Sequence, residues 1–343
     1  MRVVQDDRED AASDGAPAAT GCANLTVAVV IPAYNEEQSI AGTIREYRRA
    51  FPFAVIIVVD NASADATYAR AAEAIDPGRD ILLRETTRGK GNAMRAAVAR
   101  IDADVFVFTD ADLTYPADDA RRLLDLLVAE RLDMVVGDRV TGGAYDAQNR
   151  RRFHGVGNVV VSWIVSRLAG RRFNDVLSGL RAVSRPLARC FEMRSDGFQI
   201  ETEFNLTAAY LGADVRELPI SYNKRPVGTA SKLRTFRDGW QILKFAFSSF
   251  SIRNPVPAFA VCAVASFALS LFWGVQAVIY YIQHGAMPHL ATAIAAAAFG
   301  ILAFQLVFSG LMLGMRQAES RRQDAIRFRE MKQVWNTRLD AKI

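Results

Sequence analysis

Two patterns of apolar and polar positions alternate along the first half of the chain. Leu25 to Pro32 is an unbroken run rich in β-branched residues, as expected of a strand buried on both faces. Ala54 to Asp60 repeats it, Ile81 to Leu83 is a shorter version, and Val105 to Asp110 and Met134 to Asp138 follow. Between these runs apolar residues recur at helical spacing: after Glu37 to about Ala50, up to Ile75, from Gly89 to Arg100 and from Asp118 to Glu130. Ser63 or Asp65 is placed to cap the second of these helices. Strands alternating with helices of this length predict an α/β fold, a mostly parallel sheet with helices on both faces.

After Arg139 the pattern changes. Val156, Val159, Val160, Trp163, Ile164 and Leu168 form an apolar stripe flanked by arginines, which suits a helix lying in a membrane interface near 156–169 or a core helix. Asp175 to Arg181 reads as a turn into a strand, a helix begins at Glu201, and Val215 to Tyr222 is a further strand. Trp240, Leu243, Phe247 and Phe250 share one helical face within 235–253, a second amphipathic, juxtamembrane stretch. Ala258 to Ile282 and Leu290 to Met315 then contain no Asp, Glu, Lys or Arg. At about 25 residues each they make about 37 Å of helix, enough to cross a hydrocarbon core of about 30 Å. They predict a two-helix transmembrane hairpin followed by a basic helix over 316–343.

Composition adds little until its distribution is considered. The 343 residues are 51% hydrophobic and 23% charged, with a net charge of +5. Clusters of basic residues fall after Arg139, at 150–152, 171–172, 224–237 and 316–329, which points to a membrane surface or a phosphate partner rather than nucleic acid. Cys22, Cys190 and Cys262 are too scattered for a disulfide framework or a zinc site. Residues 1–24, rich in Asp, Ala and Gly and without an apolar block, read as a disordered tail and not a signal peptide.

The candidate chemistry lies at the carboxyl ends of the predicted strands, where open α/β sheets bind ligands. Asn35 and Glu36, Asp60, Asp110 and Asp112, and Asp138 and Arg139 all fall there. Asp110 and Asp112, two apart at a strand end, share a face and suit a hard cation whose other ligands come from nucleotide phosphates. An Asx-rich turn leading to Pro116 explains such a pair when isolated; four clusters in register favour a site. The Gly89-Lys90-Gly91 run lacks the last glycine of a dinucleotide fingerprint and follows the third strand, but it suits an anion at a helix start. Glu201 and Glu203 fit either a pocket or the first turn of a helix.

Taken together, Val-Ile-Pro-Ala-Tyr34-Asn35-Glu36, Val-Val-Asp60-Asn-Ala-Ser63, Gly89-Lys90-Gly91, Asp110-Ala111-Asp112, Val-Gly-Asp138-Arg139 and Ser178-Gly-Leu-Arg181 resemble family 2 glycosyltransferases. The resemblance runs from about Val27 to Arg234 and is to the branch that includes dolichol-phosphate mannose synthases and bacterial polyprenyl-phosphate glycosyltransferases. It implies a GT-A (Rossmann-like) catalytic domain over 25–234, a nucleotide-sugar donor, inversion at the sugar carbon, and Mg2+ or Mn2+ as cofactor. By the same resemblance Tyr34, Glu36 and Asp60, with Pro32 beside them, hold the nucleoside. Asp110 and Asp112, with Ala111 between them and Lys90 nearby, hold the metal and diphosphate. Arg139, Ser178 and Arg181 meet the phosphate of the lipid acceptor, and Arg225 to Lys232 form a loop over the diphosphate. Several mannose synthases carry Gln where this chain has Thr114, which leaves a third metal ligand open.

The function these observations predict is transfer of one sugar from a UDP- or GDP-sugar to a polyprenyl phosphate. The expected partners are a nucleotide sugar, a polyprenyl phosphate, the lipid bilayer and a second copy of the chain, as dimer or tetramer. A processive polysaccharide synthase is the rival enzyme, but the Gln-x-x-Arg-Trp motif is absent and the spans offer no polar lining for a channel. A non-catalytic membrane scaffold is the other alternative, against which both carboxylates stand. Arg253 precedes the first span, Arg316, Arg321 and Arg322 follow the second, and Gln283 to His289 has no Lys or Arg. The expected location is therefore the inner (cytoplasmic) membrane, with the catalytic domain and both termini in the cytoplasm.

Overall fold

The computed structural model describes residues 24–141, 152–225, 235–285 and 290–342. The predicted tail, apart from Asn24, lies outside these residues, as does most of the basic loop that contains Lys232. Seven strands form one sheet: β1 (Val27–Ala33), β2 (Val55–Asn61), β3 (Ile81–Glu85), β4 (Val105–Phe108), β5 (Met134–Asp138), β6 (Arg181–Ser184) and β7 (Val215–Pro219). Their spatial order is β3-β2-β1-β4-β6-β5-β7. Pairing is parallel except for β6, which runs antiparallel to both β4 and β5.

Helices α1 (Ile40–Ala50), α2 (Thr67–Ala74), α3 (Lys90–Arg100) and α4 (Ala117–Ala129) connect the first five strands. Alternate strand residues face different layers: Val27, Val29 and Ile31 of β1 lie in one apolar cluster, Ala28 and Val30 in the other. Because both faces are covered, the continuous apolar runs of the sequence are the pattern that parallel strands require.

The reversed direction of β6 decides which residues reach the polar edge of the sheet. Arg181, its first residue, pairs with Phe108 of β4 and Val136 of β5, near the carboxyl ends of both. An antiparallel strand inserted there begins where its neighbours end. It carries the preceding Ser178-Gly179 to the same edge as the other polar clusters.

Helices α5 (Arg152–Ala169), α6 (Arg185–Cys190), α7 (Ile200–Leu211) and α8 (Thr235–Arg253) complete the domain. α5 buries Val161 and Val165 but leaves Val159, Val160 and Trp163 exposed, Trp163 at 68%. α8 buries Ile242 and Ala246 and exposes Phe247, also at 68%, and Ile252. Each helix thus has an inner apolar face in the core and an outer one without cover from the described residues.

Two long helices follow, α9 (Pro255–His284) and α10 (Leu290–Lys342). Only 11% and 6% of their most apolar stretches are buried, so they are not core helices of a soluble domain. They pack on each other through small residues. A side chain at Gly310 or Gly314 would run into Phe259 or Val256, which glycine avoids by letting the helices approach closely.

The expected separate segments 290–315 and 316–343 are in fact one helix of 53 residues, about 80 Å long. Its second half returns to the catalytic domain. Phe328, Trp335 and Leu339 are buried, and Trp335 Nε1 donates to the Asp104 carbonyl at 3.1 Å. Lys332 Nζ bridges Asp133 and Asp214 at 2.6 and 2.7 Å, and Lys342 Nζ reaches Asp104 at 2.6 Å. Those aspartates immediately precede β5, β7 and β4, so the helix docks at the amino ends of the strands, opposite the polar clusters.

Candidate active site

The chain leaves β4 at Phe108, two residues earlier than the sequence pattern predicts, so Asp110 and Asp112 stand in a turn and not on a strand face. The turn carries backbone strain: Leu113 sits at φ 61°, and Asn35 and Ala62, just beyond β1 and β2, also have positive φ. Such conformations are unfavourable for residues with a Cβ and concentrate at functional sites. Here three of them follow strand carboxyl ends.

Within the turn, Asp112 Oδ1 accepts from both the main-chain N–H and the hydroxyl of Thr114, at 3.2 and 2.5 Å. Asp112 Oδ2 meets Arg225 at 2.7 Å. Thr114 therefore orients this carboxylate. Asp110 Oδ1 is 2.5 Å from Lys90 Nζ, which also contacts Glu201 Oε1 at 2.6 Å. Burial pushes the Asp112 carboxyl upward, and the charge of Asp110 adds to the rise against Arg225 and Thr114. For Asp110 burial acts in the same direction, but the charge and hydrogen bond of Lys90, with the charges of Arg225 and Arg139, together outweigh it and hold the carboxyl low. Burial alone would lower the Lys90 pKa; Asp110 and Glu201 together keep it above its ordinary value.

Gly91 N–H donates to the Asp196 carbonyl at 2.9 Å, and any side chain at Gly91 would overlap the Ser195 carbonyl. The Gly-Lys-Gly run is thus a close crossing of two backbones that delivers Lys90 to the carboxylates. At the end of β2, Asp60 is 1% exposed; Oδ2 lies 3.5 Å from Arg84, and Oδ1 has no hydrogen-bond partner among the described residues. Glu36 is buried and accepts from Ser39 at 2.9 Å. Tyr34, beside half-buried Pro32, stacks under the Arg88 guanidinium at 4.4 Å. Ala111 is buried between the two aspartates.

The residues expected to meet an acceptor phosphate have three different surroundings. Arg139 forms a buried fork with Asp175, Nε to Oδ2 at 2.7 Å and the second pair at 2.8 Å. Ser178 is fully buried and its Oγ has no partner among the described residues. Arg181 differs from expectation: it is 1% exposed, and its guanidinium donates to the carbonyls of Ser178 at 2.6 Å and Glu201 at 3.2 Å. As the first residue of a central strand it points into the protein and ties two segments together, so it does not face the bilayer.

The structure also separates Glu201 from Glu203. Both oxygens of Glu203 accept main-chain N–H groups, from Arg194 and Ser195, each at 2.8 Å. It holds a loop, whereas Glu201 joins the Lys90–Asp110 group. Their i, i+2 spacing on a helix turns them to different sides, a signal present in the sequence but without direction until the helix is docked. Asp175 is the functional candidate that sequence reasoning missed.

The sequence profile of glycosyl transferase family 2 matches residues 28–180, from β1 to the residue before β6. Over 305 residues the chain is 33% identical to glycosyltransferase AglJ of Haloferax volcanii, covering 86% of this chain and 96% of the relative. The chain belongs to glycosyl transferase family 2. The transferase is also 30% identical, over 60% of its length and 86% of the relative's, to the undecaprenyl-phosphate mannosyltransferase of Micrococcus luteus. Glucosyl-3-phosphoglycerate synthase from Mycobacterium tuberculosis, solved with Mn2+, uridine diphosphate and phosphoglyceric acid, superposes with a TM-score of 0.52. That match covers 67% of this transferase and 80% of the synthase at 22% identity, which establishes a shared GT-A fold.

A divalent cation fits the residues present in this transferase. The donors are two carboxylates, hard oxygen ligands; burial raises Asp112 and the charge of Asp110 adds to the rise, and that second contribution is what a bound cation relieves. No group of three acidic, His or Cys side chains able to hold a metal occurs among the described residues, so two carboxylates leave coordination positions for oxygen ligands from elsewhere.

Proposed function

We propose that the chain is a membrane-anchored transferase that moves one sugar from a UDP- or GDP-sugar to a polyprenyl phosphate, inverting the sugar carbon. The observation that carries this reading is that Lys90, Asp110, Asp112 and Arg225 converge at one end of a sheet whose chain also bears two long, exposed apolar helices. Helices that hold the site at a membrane favour an acceptor anchored in the same membrane over a soluble one. The name of the Micrococcus luteus relative supports the same acceptor.

In this reading Asp110 and Asp112 hold Mg2+ or Mn2+. Bound with the donor, the ion supplies charge neutralisation and Lewis acidity at the departing nucleoside diphosphate. Lys90 and Arg225 are the cations of the chain itself that meet the diphosphate, and Lys232 belongs to the same basic segment. Asp60, whose Oδ1 has no partner among the described residues, and Glu36 and Tyr34 hold the nucleoside, with Pro32 beside them, and Ala111 stays between the two aspartates of the metal and diphosphate site. An isoprenyl phosphate is ionised near neutral pH and attacks without a strong general base. The chain has only to orient it and exclude water. Ser178 can donate to an anionic oxygen, and the Arg139–Asp175 fork sets the charge beside it. Arg181 positions Ser178 through the Ser178 carbonyl.

The exposed stripes of α5 and α8 rest on the bilayer, and α9 and α10 cross it with both ends on the cytoplasmic side. The test is transfer by purified protein. A panel of UDP- and GDP-hexoses is incubated with a short polyprenyl phosphate and Mg2+ or Mn2+, and formation of a polyprenyl-phosphate sugar is read by mass spectrometry. Transfer from one donor class is the expected result. Donor breakdown with no lipid product from any pair would reject the acceptor.

A further inference from the structure

We propose that Glu201 accepts a hydrogen bond from a hydroxyl of the donor's sugar and so sets which sugars the transferase takes. The inference rests on the proposed function, in which the donor is a nucleotide sugar.

Glu201 is 4% exposed, and its two carboxylate oxygens have different surroundings. Oε1 is held by Lys90 Nζ at 2.6 Å, whereas Oε2 has no hydrogen-bond partner among the described residues. A buried carboxylate oxygen without a protein partner is costly, and in native proteins a water, an ion or a ligand commonly completes it. Nor can the side chain swing away to find one. Its main-chain carbonyl is fastened by Arg181 and its other oxygen by Lys90.

Location and charge narrow what that ligand is. Lys90 bridges Glu201 to Asp110, so the unpartnered oxygen lies one ammonium group away from the proposed diphosphate site. A carboxylate only accepts, so its partner must donate. A phosphate oxygen, from donor or acceptor, carries no proton to give and is repelled. In the proposed arrangement the nucleoside lies towards Asp60, which leaves the sugar, a ring of hydroxyl donors attached to the diphosphate, as the group of matching chemistry. Another buried atom without a partner among the described residues has the opposite character: the Ser178 hydroxyl can donate and suits an anion. The neighbouring Glu203 offers no such contact, since both of its oxygens already accept main-chain N–H groups.

The test measures binding, so it does not depend on the acceptor. Detergent-solubilised full-length protein with Mg2+ is titrated calorimetrically with the preferred UDP- or GDP-hexose, with analogues deoxygenated at each ring hydroxyl in turn, and with the nucleoside diphosphate alone. Wild type should bind the parent at least tenfold more tightly than one of the deoxy analogues. In Glu201→Gln that ratio should fall below threefold through weaker binding of the parent, with the thermal midpoint checked to confirm folding. Glu201→Asp, which keeps the charge beside Lys90 but withdraws the carboxylate, should lose the ratio as well. Equal binding of parent and all deoxy analogues by wild type overturns the proposal. So does an unchanged ratio in a folded variant, or the absence of any preference for a nucleotide hexose over its diphosphate. Failure of sugar to reach polyprenyl phosphate in the transfer assay would instead reject the acceptor while this binding ratio stands.

Discussion

Replacing Gly179 by Ala is the smallest change that should reach the centre of the site. A Cβ there would lie 2.9 and 3.0 Å from the two carboxylate oxygens of Asp110 and 3.0 Å from Lys90 Nζ, where ordinary contacts begin at 3.4 Å. The added methyl must push both groups back by about half an ångström, and misplacements of about 1 Å can cost on the order of 100-fold in rate. The groups cannot retreat freely: Lys90 is pinned between Asp110 and Glu201, and Asp110 between Lys90 and its own turn. Scaling that cost to the smaller shift gives a loss of about tenfold in kcat/KM for the donor, or about 1.4 kcal/mol of transition-state stabilisation. Stability should change little, because Gly179 does not have a positive φ and Gly→Ala at a compatible position contributes about 0.4–1 kcal/mol through the unfolded chain. The assay is steady-state transfer over a donor series, run beside thermal unfolding of the same preparation. Wild-type kcat/KM in the variant would refute the argument that Asp110 and Lys90 work only at their present spacing. A fall in activity matched by a collapse in thermal midpoint would show that Gly179 serves the fold instead.

Four further outcomes are expected. Asp112→Asn should abolish transfer while the protein stays folded, and excess chelator should do the same to wild type; undiminished turnover in either case would remove the metal from the reading. Arg139→Lys keeps the charge but cannot form the fork to Asp175, so it should lower transfer at least tenfold with donor affinity nearly unchanged, as measured by calorimetry. Trp335→Ala should destabilise the catalytic domain by about 3–5 kcal/mol in denaturant unfolding, because it empties a buried site and removes one of the two hydrogen bonds to the Asp104 carbonyl. In a protein without other cysteines, cysteines placed at His284 and Ala318 should label from opposite sides of the membrane, and labelling from one side would reject the hairpin.

Much of this molecule is written locally in its sequence. Runs such as Leu25 to Pro32 and Met134 to Asp138 specify strands because both their faces are apolar, and the uncharged stretches after Pro257 specify helices that no soluble core of this size would bury. Asp110, Asp112, Lys90 and Asp60 could be singled out because chemistry at strand ends follows from the order of elements alone. What only the tertiary structure decided involves groups far apart in the chain. The antiparallel entry of β6 turns Arg181 inward and brings Ser178 and Gly179 to the carboxylates, and no local pattern states the direction of a strand. Glu201 and Glu203 are chemically alike in the sequence; docking α7 sends one to Lys90 and the other to the N–H groups of Arg194 and Ser195. The return of α10 to Asp104, Asp133 and Asp214 is hidden for the same reason. A basic, mixed helix reads as solvent-exposed until three carboxylates at the amino ends of distant strands supply the partners that bury Trp335 and Leu339. Periodicity records which face of an element is buried, whereas the partner that buries it depends on how the whole chain satisfies its apolar surface and its charges together.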